Sequence, residues 1–165
     1  MPDWSSKTYK KRKRVRLQGQ ILHSDDHTEI QILSSNSKGY IARIRWSIMN
    51  TIEPSIHIGS LSVIPKWRNK GIATRLIHDA ALLMKNSFSS NLFVTVDDVS
   101  EQSGKECNVY RNCGFEYGDS PPTMISSPQI MIEKSTKSWK SKQKSKSSSR
   151  STGLISHKKN FFCYK

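Results

Sequence analysis

The sequence has few cysteines and no long apolar run, and each shortage excludes a class of protein. Three cysteines in 165 residues are too few for a disulfide framework, which favours a reducing intracellular compartment, cytoplasmic or nuclear. No apolar stretch reaches the roughly 20 residues that cross a bilayer, and no signal-peptide pattern opens the chain, so we expect no membrane partner. The five histidines do not pair with cysteines at zinc-type spacing, so we predict no metal.

Acidic residues are scarce at the two ends of the chain. The formal net charge is +14. Residues 1–16 carry seven basic side chains and one acid, and residues 134–165 carry ten basic side chains and no acid. We therefore predict a basic disordered tail over 1–16, a globular domain over 17–133, and a Ser/Lys-rich disordered tail over 134–165.

The apolar pattern of the first half of the domain predicts strands. Four segments alternate apolar and polar residues, at about 15–21, 30–32, 40–48 and 57–64, and this period of two is typical of half-buried strands. The connections between them are short. Short connections join antiparallel neighbours, so we expect a four-stranded meander.

After this meander the pattern changes to helical spacing. Apolar residues repeat over 72–84 as in an amphipathic helix, and residues 91–96 form a short apolar strand. A strand, helix and strand in this order form a βαβ unit with parallel strands. A second helix is predicted at about 104–112, and segments 115–117 and 129–132 are predicted to close the sheet as a hairpin. The fold class is therefore α/β, with a mixed sheet.

The junction between the fourth strand and the first helix contains the chemically informative residues. Gly71 allows a ligand to approach the backbone closely, and the small side chain of Ala73 leaves room for the ligand on the same surface. The first amides of the following helix have no intrahelical partners, and with the helix dipole they form an anion site suited to a pyrophosphate. Lys66, Lys70 and Arg75 add positive charge. Taken alone, such a glycine is more often simple turn chemistry.

Two motifs in this order resemble the GNAT superfamily of N-acyltransferases. The spacing Val63-x-x-x-x-Arg68-x-x-Gly71-x-Ala73 resembles its acetyl-CoA signature, Arg/Gln-x-x-Gly-x-Gly/Ala. The second hallmark, a Tyr shortly before Gly-Phe, is matched by Tyr110-Arg111-Asn112-Cys113-Gly114-Phe115. The resemblance covers about residues 15–133 and implies a GNAT-type fold that binds acetyl-CoA as a co-substrate.

The resemblance also implies roles for individual residues. The backbones of Leu61 and Val63 match positions that bind the thioester carbonyl and the pantetheine arm. Tyr110 matches the tyrosine that protonates the departing CoA thiolate in many members. Asn108 either binds the pantetheine arm or faces solvent. The pyrophosphate loop is matched by Arg68, Asn69, Lys70, Gly71, Ile72, Ala73 and Thr74.

An amine must lose its proton to attack a thioester, so a general base is useful. The superfamily often places a Glu on the fourth strand, and His57 occupies the matching position here. Histidine can perform this task near neutral pH, although a strand histidine without a role is an equally simple interpretation. Glu53 and Asp97 are reserve candidates, with Asp97-Asp98 able either to attract a cationic amine or to cap a helix. The Leu61 amide would stabilise the oxyanion.

One departure from the family concerns the acceptor side. Members usually carry two helices after the first strand, whereas only a turn at about 24–28 stands there, so we expect these helices to be abbreviated or absent. The sequence thus predicts an acetyltransferase acting on a primary amine, either a small molecule or a protein lysine or N-terminus. The alternative is a nucleic-acid-associated binding protein with a vestigial acyltransferase fold and basic tails.

Overall fold

The structure, a computed structural model, describes residues 17–35, 38–88, 92–99 and 108–148. The predicted tail over 1–16, residues 104–107 of the predicted helix over 104–112, and residues 149–165 lie outside this described part. Seven strands and three α-helices are found in it. They are β1 (Leu17–His23), β2 (Thr28–Ser34), β3 (Tyr40–Met49), β4 (Ser55–Val63), α1 (Ile72–Ser87), β5 (Phe93–Asp97), α2 (Val109–Asn112), β6 (Glu116–Tyr117), β7 (Thr123–Ser126) and α3 (Pro128–Ser148).

The seven strands form one sheet in the order β1-β2-β3-β4-β5-β7-β6. Strands β1 to β4 pair antiparallel with their chain neighbours, which confirms the predicted meander. A tight turn joins β1 to β2, in which the Ser24 amide donates to the His27 carbonyl at 3.0 Å. No helix stands between these two strands. The predicted loss of the first two helices is therefore confirmed.

Helix α1 connects β4 to β5, and these strands pair parallel over Ser55–Ile58 and Phe93–Val96. This confirms the predicted βαβ unit. The helix buries one apolar face against the sheet, as its 3.6-residue periodicity requires. The fully buried members of that face are Leu76, Ile77, Ala80, Ala81 and Met84.

The predicted hairpin at the end of the domain is wrong in its second strand. That strand is Thr123–Ser126, which pairs antiparallel with both β5 and β6. The segment 129–132 instead belongs to helix α3, which continues to Ser148. The helix thus runs past residue 134, where we predicted disorder to begin.

Packing against α1 explains why α3 is a helix despite its polar composition. Met131 and Ser135, one turn apart on the same face, are 0% and 1% exposed. Lys85 Nζ donates to Gln129 Oε1 at 2.7 Å, whereas the other end of α1 lies beside Lys140. The two helices are therefore antiparallel. Tertiary contact stabilises a segment whose own sequence has only a weak amphipathic pattern.

A β-bulge in β4 decides which of its side chains share a face. The register between β3 and β4 shifts at Gly59, which has no partner, while Ile58 and Ser60 pair with consecutive residues of β3. An extra residue of this kind reverses the usual alternation. His57 and Ser60 consequently lie on the same face, opposite the face that α1 covers. In the described part of the chain, no helix is long and apolar enough to cross a membrane.

Candidate functional site

The loop before α1 has the backbone geometry of an anion site. Asn69 and Gly71 have φ angles of 59° and 77°, a left-handed conformation that glycine adopts without steric cost. Gly71 is the N-cap of α1, and no side chain caps this terminus. The amides of the first turn therefore remain available to an external acceptor. A Cβ atom placed on Gly71 would have no atom within 4 Å, so the space above this glycine is open.

Basic side chains surround the same loop and are held in place by backbone carbonyls. Arg68 Nε donates to the Val63 carbonyl at 3.0 Å, which ties the loop to the end of β4. Lys70 Nζ donates to the Lys66 carbonyl at 3.0 Å and lies 4.5 Å from the centre of the Trp67 ring. These exposed cations complement the dipole of α1, because both favour a bound anion.

Strands β4 and β5 separate beside this loop. Their pairing ends at Ile58 and Val96, whereas β4 continues to Val63 with only β3 as a neighbour among the described residues. The part of β4 that contains Leu61 and Val63 therefore lies beside a gap in the sheet, where Arg68 binds the Val63 carbonyl and no described strand pairs with the other backbone groups on that side. Such groups can bind an extended ligand as an added strand would.

A family comparison agrees with this combination of an open sheet and an uncapped helix. The sequence model of the acetyltransferase (GNAT) domain family matches residues 27–117, which is more than half of the chain. The chain belongs to the GNAT acetyltransferase family. It is accordingly an acetyl-CoA-dependent acetyltransferase.

Two solved structures share this fold at low sequence identity. A structure of AtaTR bound with AcCoA is 12% identical, covers 70% of this chain and 95% of its own, and has a TM-score of 0.56. A KacTA–DNA complex is also 12% identical, covers 70% of this chain and 76% of its own, and has a TM-score of 0.54. These likenesses show the GNAT fold. No curated protein sequence matches the chain.

The predicted base candidate His57 is half-buried on β4, next to the end of the β4–β5 pairing. Its Nδ1 lies 3.1 Å from Thr95 Oγ1, and Thr95 Oγ1 lies 3.5 Å from the Ile56 carbonyl oxygen. A hydroxyl that donates to this carbonyl accepts from Nδ1–H, so the basic nitrogen of the ring is then Nε2. Thr95 was not singled out from the sequence, although its place on the neighbouring strand follows from the βαβ unit.

The two reserve candidates have other surroundings. Asp97 Oδ1 accepts a hydrogen bond from Thr123 Oγ1 at 2.7 Å at the exposed end of β5. Glu53 is exposed in the turn before β4, where its carbonyl accepts from Thr51 Oγ1 at 2.7 Å. No described contact places either carboxylate in the gap between β4 and β5, whereas His57 lies next to the point where these strands separate.

Tyr110 lies in the first turn of α2 and is largely buried, with 9% of its surface exposed. Its ring packs edge-on against Phe115, with ring centroids 5.8 Å apart and an angle of 76°. Burial, and secondly the negative charge of Asp98, raise the pKa of the Tyr110 phenol to about 12. The phenol therefore keeps its proton at neutral pH and is able to donate it.

Asn108 does not face solvent, because it is only 1% exposed. Its Oδ1 accepts from the Tyr110 amide at 2.8 Å, so it caps α2, and its Nδ2 donates to Asp98 Oδ2. Asp98 is equally buried and was expected from the sequence only as a cap or an amine-attracting charge. The pantetheine role of Asn108 remains a prediction.

The face of the sheet opposite α1 carries a polar row across β1, β2 and β3. Gln20 Nε2 donates to Gln31 Oε1 at 2.8 Å, and Gln31 Nε2 donates to Glu29 Oε1 at 2.6 Å. Arg45 Nε donates to Glu29 Oε2 at 2.9 Å. Burial alone would raise the pKa of the Glu29 carboxyl, but the hydrogen bonds from Gln31 and Arg45 outweigh it and hold the pKa below its ordinary value.

Proposed function

We propose that the chain is an N-acetyltransferase that moves the acetyl group of acetyl-CoA to a primary amine by direct attack within a ternary complex. One observation carries this proposal, namely the uncapped start of α1 beside the gap between β4 and β5. The diphosphate of CoA would bind the amides and cations of loop 68–74. Its pantetheine arm would extend along Leu61 and Val63 of β4.

In this mechanism the amine nitrogen attacks the carbonyl carbon of the thioester and the C–S bond then breaks. His57 Nε2 accepts the proton that the amine loses, directly or through a water. The Leu61 amide donates to the carbonyl oxygen while that oxygen carries negative charge. The contact between His57 and Thr95 supports this assignment, because it orients the ring.

The departing thiolate of CoA takes its proton from the Tyr110 phenol. Two features support this role. The pKa of the phenol is about 12, so the phenol carries its proton at neutral pH when the thiolate departs. In the described part of the chain, no group accepts a hydrogen bond from the Tyr110 hydroxyl, which leaves it available to a ligand.

The acceptor would approach from the sheet face opposite α1, where His57 and Ser60 lie. No described helix lies between β1 and β2, so no helix at that position walls this side of the sheet. An open cleft of this shape suits an extended peptide that carries a lysine or a free N-terminus, and it also admits a small amine. The acceptor proposed is therefore a primary amine of either kind.

Calorimetric titration of acetyl-CoA into the full chain tests the proposed cofactor site. We expect micromolar binding that is abolished by Gly71→Glu, because the new carboxylate would repel the diphosphate. Gly39→Glu is the matched control, since Gly39 also has a positive φ, of 91°, and also has no atom within 4 Å of a Cβ. Equal loss of binding in both variants, or no binding to the wild type, would contradict the proposal.

A second candidate function is binding to nucleic acid. After Glu133, helix α3 carries six lysines and no acidic residue, namely Lys134, Lys137, Lys140, Lys142, Lys144 and Lys146. A segment rich in lysine binds a phosphate backbone with an affinity that falls steeply with salt. Titration of a labelled duplex at several salt concentrations tests this function. Salt-independent binding, or none at low salt, would rule it out.

A further inference from the structure

A buried carboxylate connects the end of β5 to the helix that carries Tyr110. Asp98, directly after β5, is 1% exposed. Its Oδ2 accepts hydrogen bonds from two donors, the Asn108 amide nitrogen and the Tyr117 hydroxyl at 3.0 Å. Two donors on one buried oxygen fix the position of both, because a buried carboxylate that loses a partner is strongly destabilised.

Asn108 passes this constraint to Tyr110. Its Nδ2 is held by Asp98, so its Oδ1 points at the backbone amide of Tyr110, which donates to it at 2.8 Å. This hydrogen bond caps the start of α2. Helix α2 has four residues, too few for a helix to form by itself. Its orientation therefore depends on its ends.

The other end of α2 is fixed by the backbone. The Tyr110 carbonyl accepts from the Phe115 amide at 3.0 Å and from the Cys113 amide at 2.9 Å. These bonds fix the turn after the helix, whereas the start of the helix is held by the cap from Asn108. The position of the Tyr110 ring depends on this backbone and on its edge-on packing against Phe115.

We propose that Asp98 is a positioning residue for acetyl transfer, which acts through Asn108 to set the Tyr110 phenol at the departing sulfur. This inference rests on the proposed role of Tyr110 as the proton donor. Asp98 touches neither substrate nor cofactor in this scheme. The Asp98 carboxylate holds the Asn108 side chain, and Asn108 in turn holds the Tyr110 amide. The phenol is thereby placed at the distance from the CoA sulfur that proton transfer requires.

A double-mutant cycle tests whether Asp98 acts through the Tyr110 hydroxyl. Hydroxylamine serves as the acceptor, because this small amine is uncharged at neutral pH and needs no acceptor pocket. The release of the CoA thiol by the full chain gives kcat and the KM for acetyl-CoA. The variants are Asp98→Ala, Tyr110→Phe and both together.

We expect Asp98→Ala to lower kcat by about 5- to 20-fold with little change in KM, since an interaction made only in the transition state is lost. In the Tyr110→Phe background the same substitution should cost less than about twofold, because no phenol remains to be positioned. Asp98→Asn keeps an acceptor oxygen for Asn108 and should recover most of the rate.

Asn108→Ser provides a second route should Asp98→Ala not fold. A serine hydroxyl caps the helix but cannot reach Asp98, so we expect a similar loss of kcat that also vanishes without the Tyr110 hydroxyl. Thr123→Val is the matched control, because it removes the hydroxyl that donates to the neighbouring Asp97 and leaves the described bonds of Asp98 in place. This control should change kcat by less than about twofold.

Three outcomes separate the claims. Equal losses of kcat from Asp98→Ala with and without the Tyr110 hydroxyl, or an equal loss from Thr123→Val, would overturn the positioning role and leave the proposed function intact. An unchanged kcat in Tyr110→Phe would remove Tyr110 as the proton donor. A wild type that binds acetyl-CoA but does not accelerate thiol release would overturn both.

Discussion

The His57 ring and the Thr95 hydroxyl are joined across β4 and β5, with Nδ1 3.1 Å from Oγ1. The two residues are direct partners in the parallel register, one step before the strands separate. A histidine that acts as a base beside a gap in the sheet needs a fixed ring orientation. The Thr95 hydroxyl on the neighbouring strand fixes the orientation of the His57 ring. When the Thr95 hydroxyl donates to the Ile56 carbonyl, this contact leaves Nε2 as the nitrogen that can accept a proton.

We predict that His57→Ala lowers kcat for acetylation of a lysine peptide by about 10²-fold, the lower end of the contribution of a general base. Thr95→Val should lower kcat by about 3- to 10-fold, since the ring remains but loses its orientation. Ser47→Ala is the control, because Ser47 flanks His57 on the opposite strand without a described bond to the ring. A loss in this control as large as that in Thr95→Val would argue against the orienting role.

Tyr110 should make stability fall at alkaline pH. Its pKa is about 12 in the folded chain against 10.0 for the ordinary phenol. Between these values the folded state binds more protons than the unfolded state, so the unfolding free energy decreases as the pH rises through this range. Urea titrations at pH 9 and pH 11 should show this decrease to be smaller, by about 1–2 kcal/mol, in Tyr110→Phe. Parallel decreases in the two proteins would contradict the prediction.

Glu29 should have the opposite pH dependence. Its side chain is 3% exposed and its pKa lies below 4.5, so its contribution is present above pH 4.5 and is lost as the pH falls through the folded pKa. We expect Glu29→Gln to lower the unfolding free energy at pH 7 by about 1–3 kcal/mol, the value of hydrogen bonds to a charged group. Denaturant titrations should show this difference shrinking below pH 4.5, and a difference that stays constant would refute the assignment.

Two glycines with similar φ angles should respond differently to alanine. Gly114 has a φ of +90°, and a Cβ atom there would lie 2.6 Å from Ile130 Cγ2 and 3.3 Å from the Ile130 carbonyl oxygen of α3, whereas a Cβ on Gly71 meets nothing. We expect Gly114→Ala to lower the unfolding free energy by about 2–4 kcal/mol, as strain and overpacking add. Gly71→Ala should cost about 1 kcal/mol from strain alone. Equal losses of unfolding free energy in the two variants, measured with urea, would show that α3 shifts at Ile130 to make room for the new methyl group.

The sequence predicted best where one face of an element is buried. Ala42, Ile44 and Trp46 on β3 alternate with Arg43 and Arg45, and the buried set is the apolar one. Burial of a single face enforces this period, so the strand and its register follow from the sequence. The left-handed turn at Gly71 was predictable from its place between a strand and a helix, whereas its link to acetyl-CoA came from the spacing of Arg68, Gly71 and Ala73.

The sequence predicted least where a partner supplies the stability. The segment around Met131 has too few apolar residues for a clear helical period, and only the surface of α1 shows why it is helical. Asp98 is a second case. Two adjacent aspartates end β5, and the strand pleat sends Asp97 to the surface and Asp98 inward, but its partners Asn108 and Tyr117 come from later segments that local patterns cannot place.

The antiparallel packing of α1 and α3 has a consequence for where polyanions meet this protein. Counting from the contact of Lys85 with Gln129, the same rise per residue places Ile72 level with about residue 142. The last turns of α3 therefore extend beyond the level of the first residue of α1, the helix start at which the CoA diphosphate is proposed to bind. A nucleic acid bound along α3 would occupy the space beside the start of α1. Nucleic acid and acetyl-CoA would then exclude each other rather than bind together.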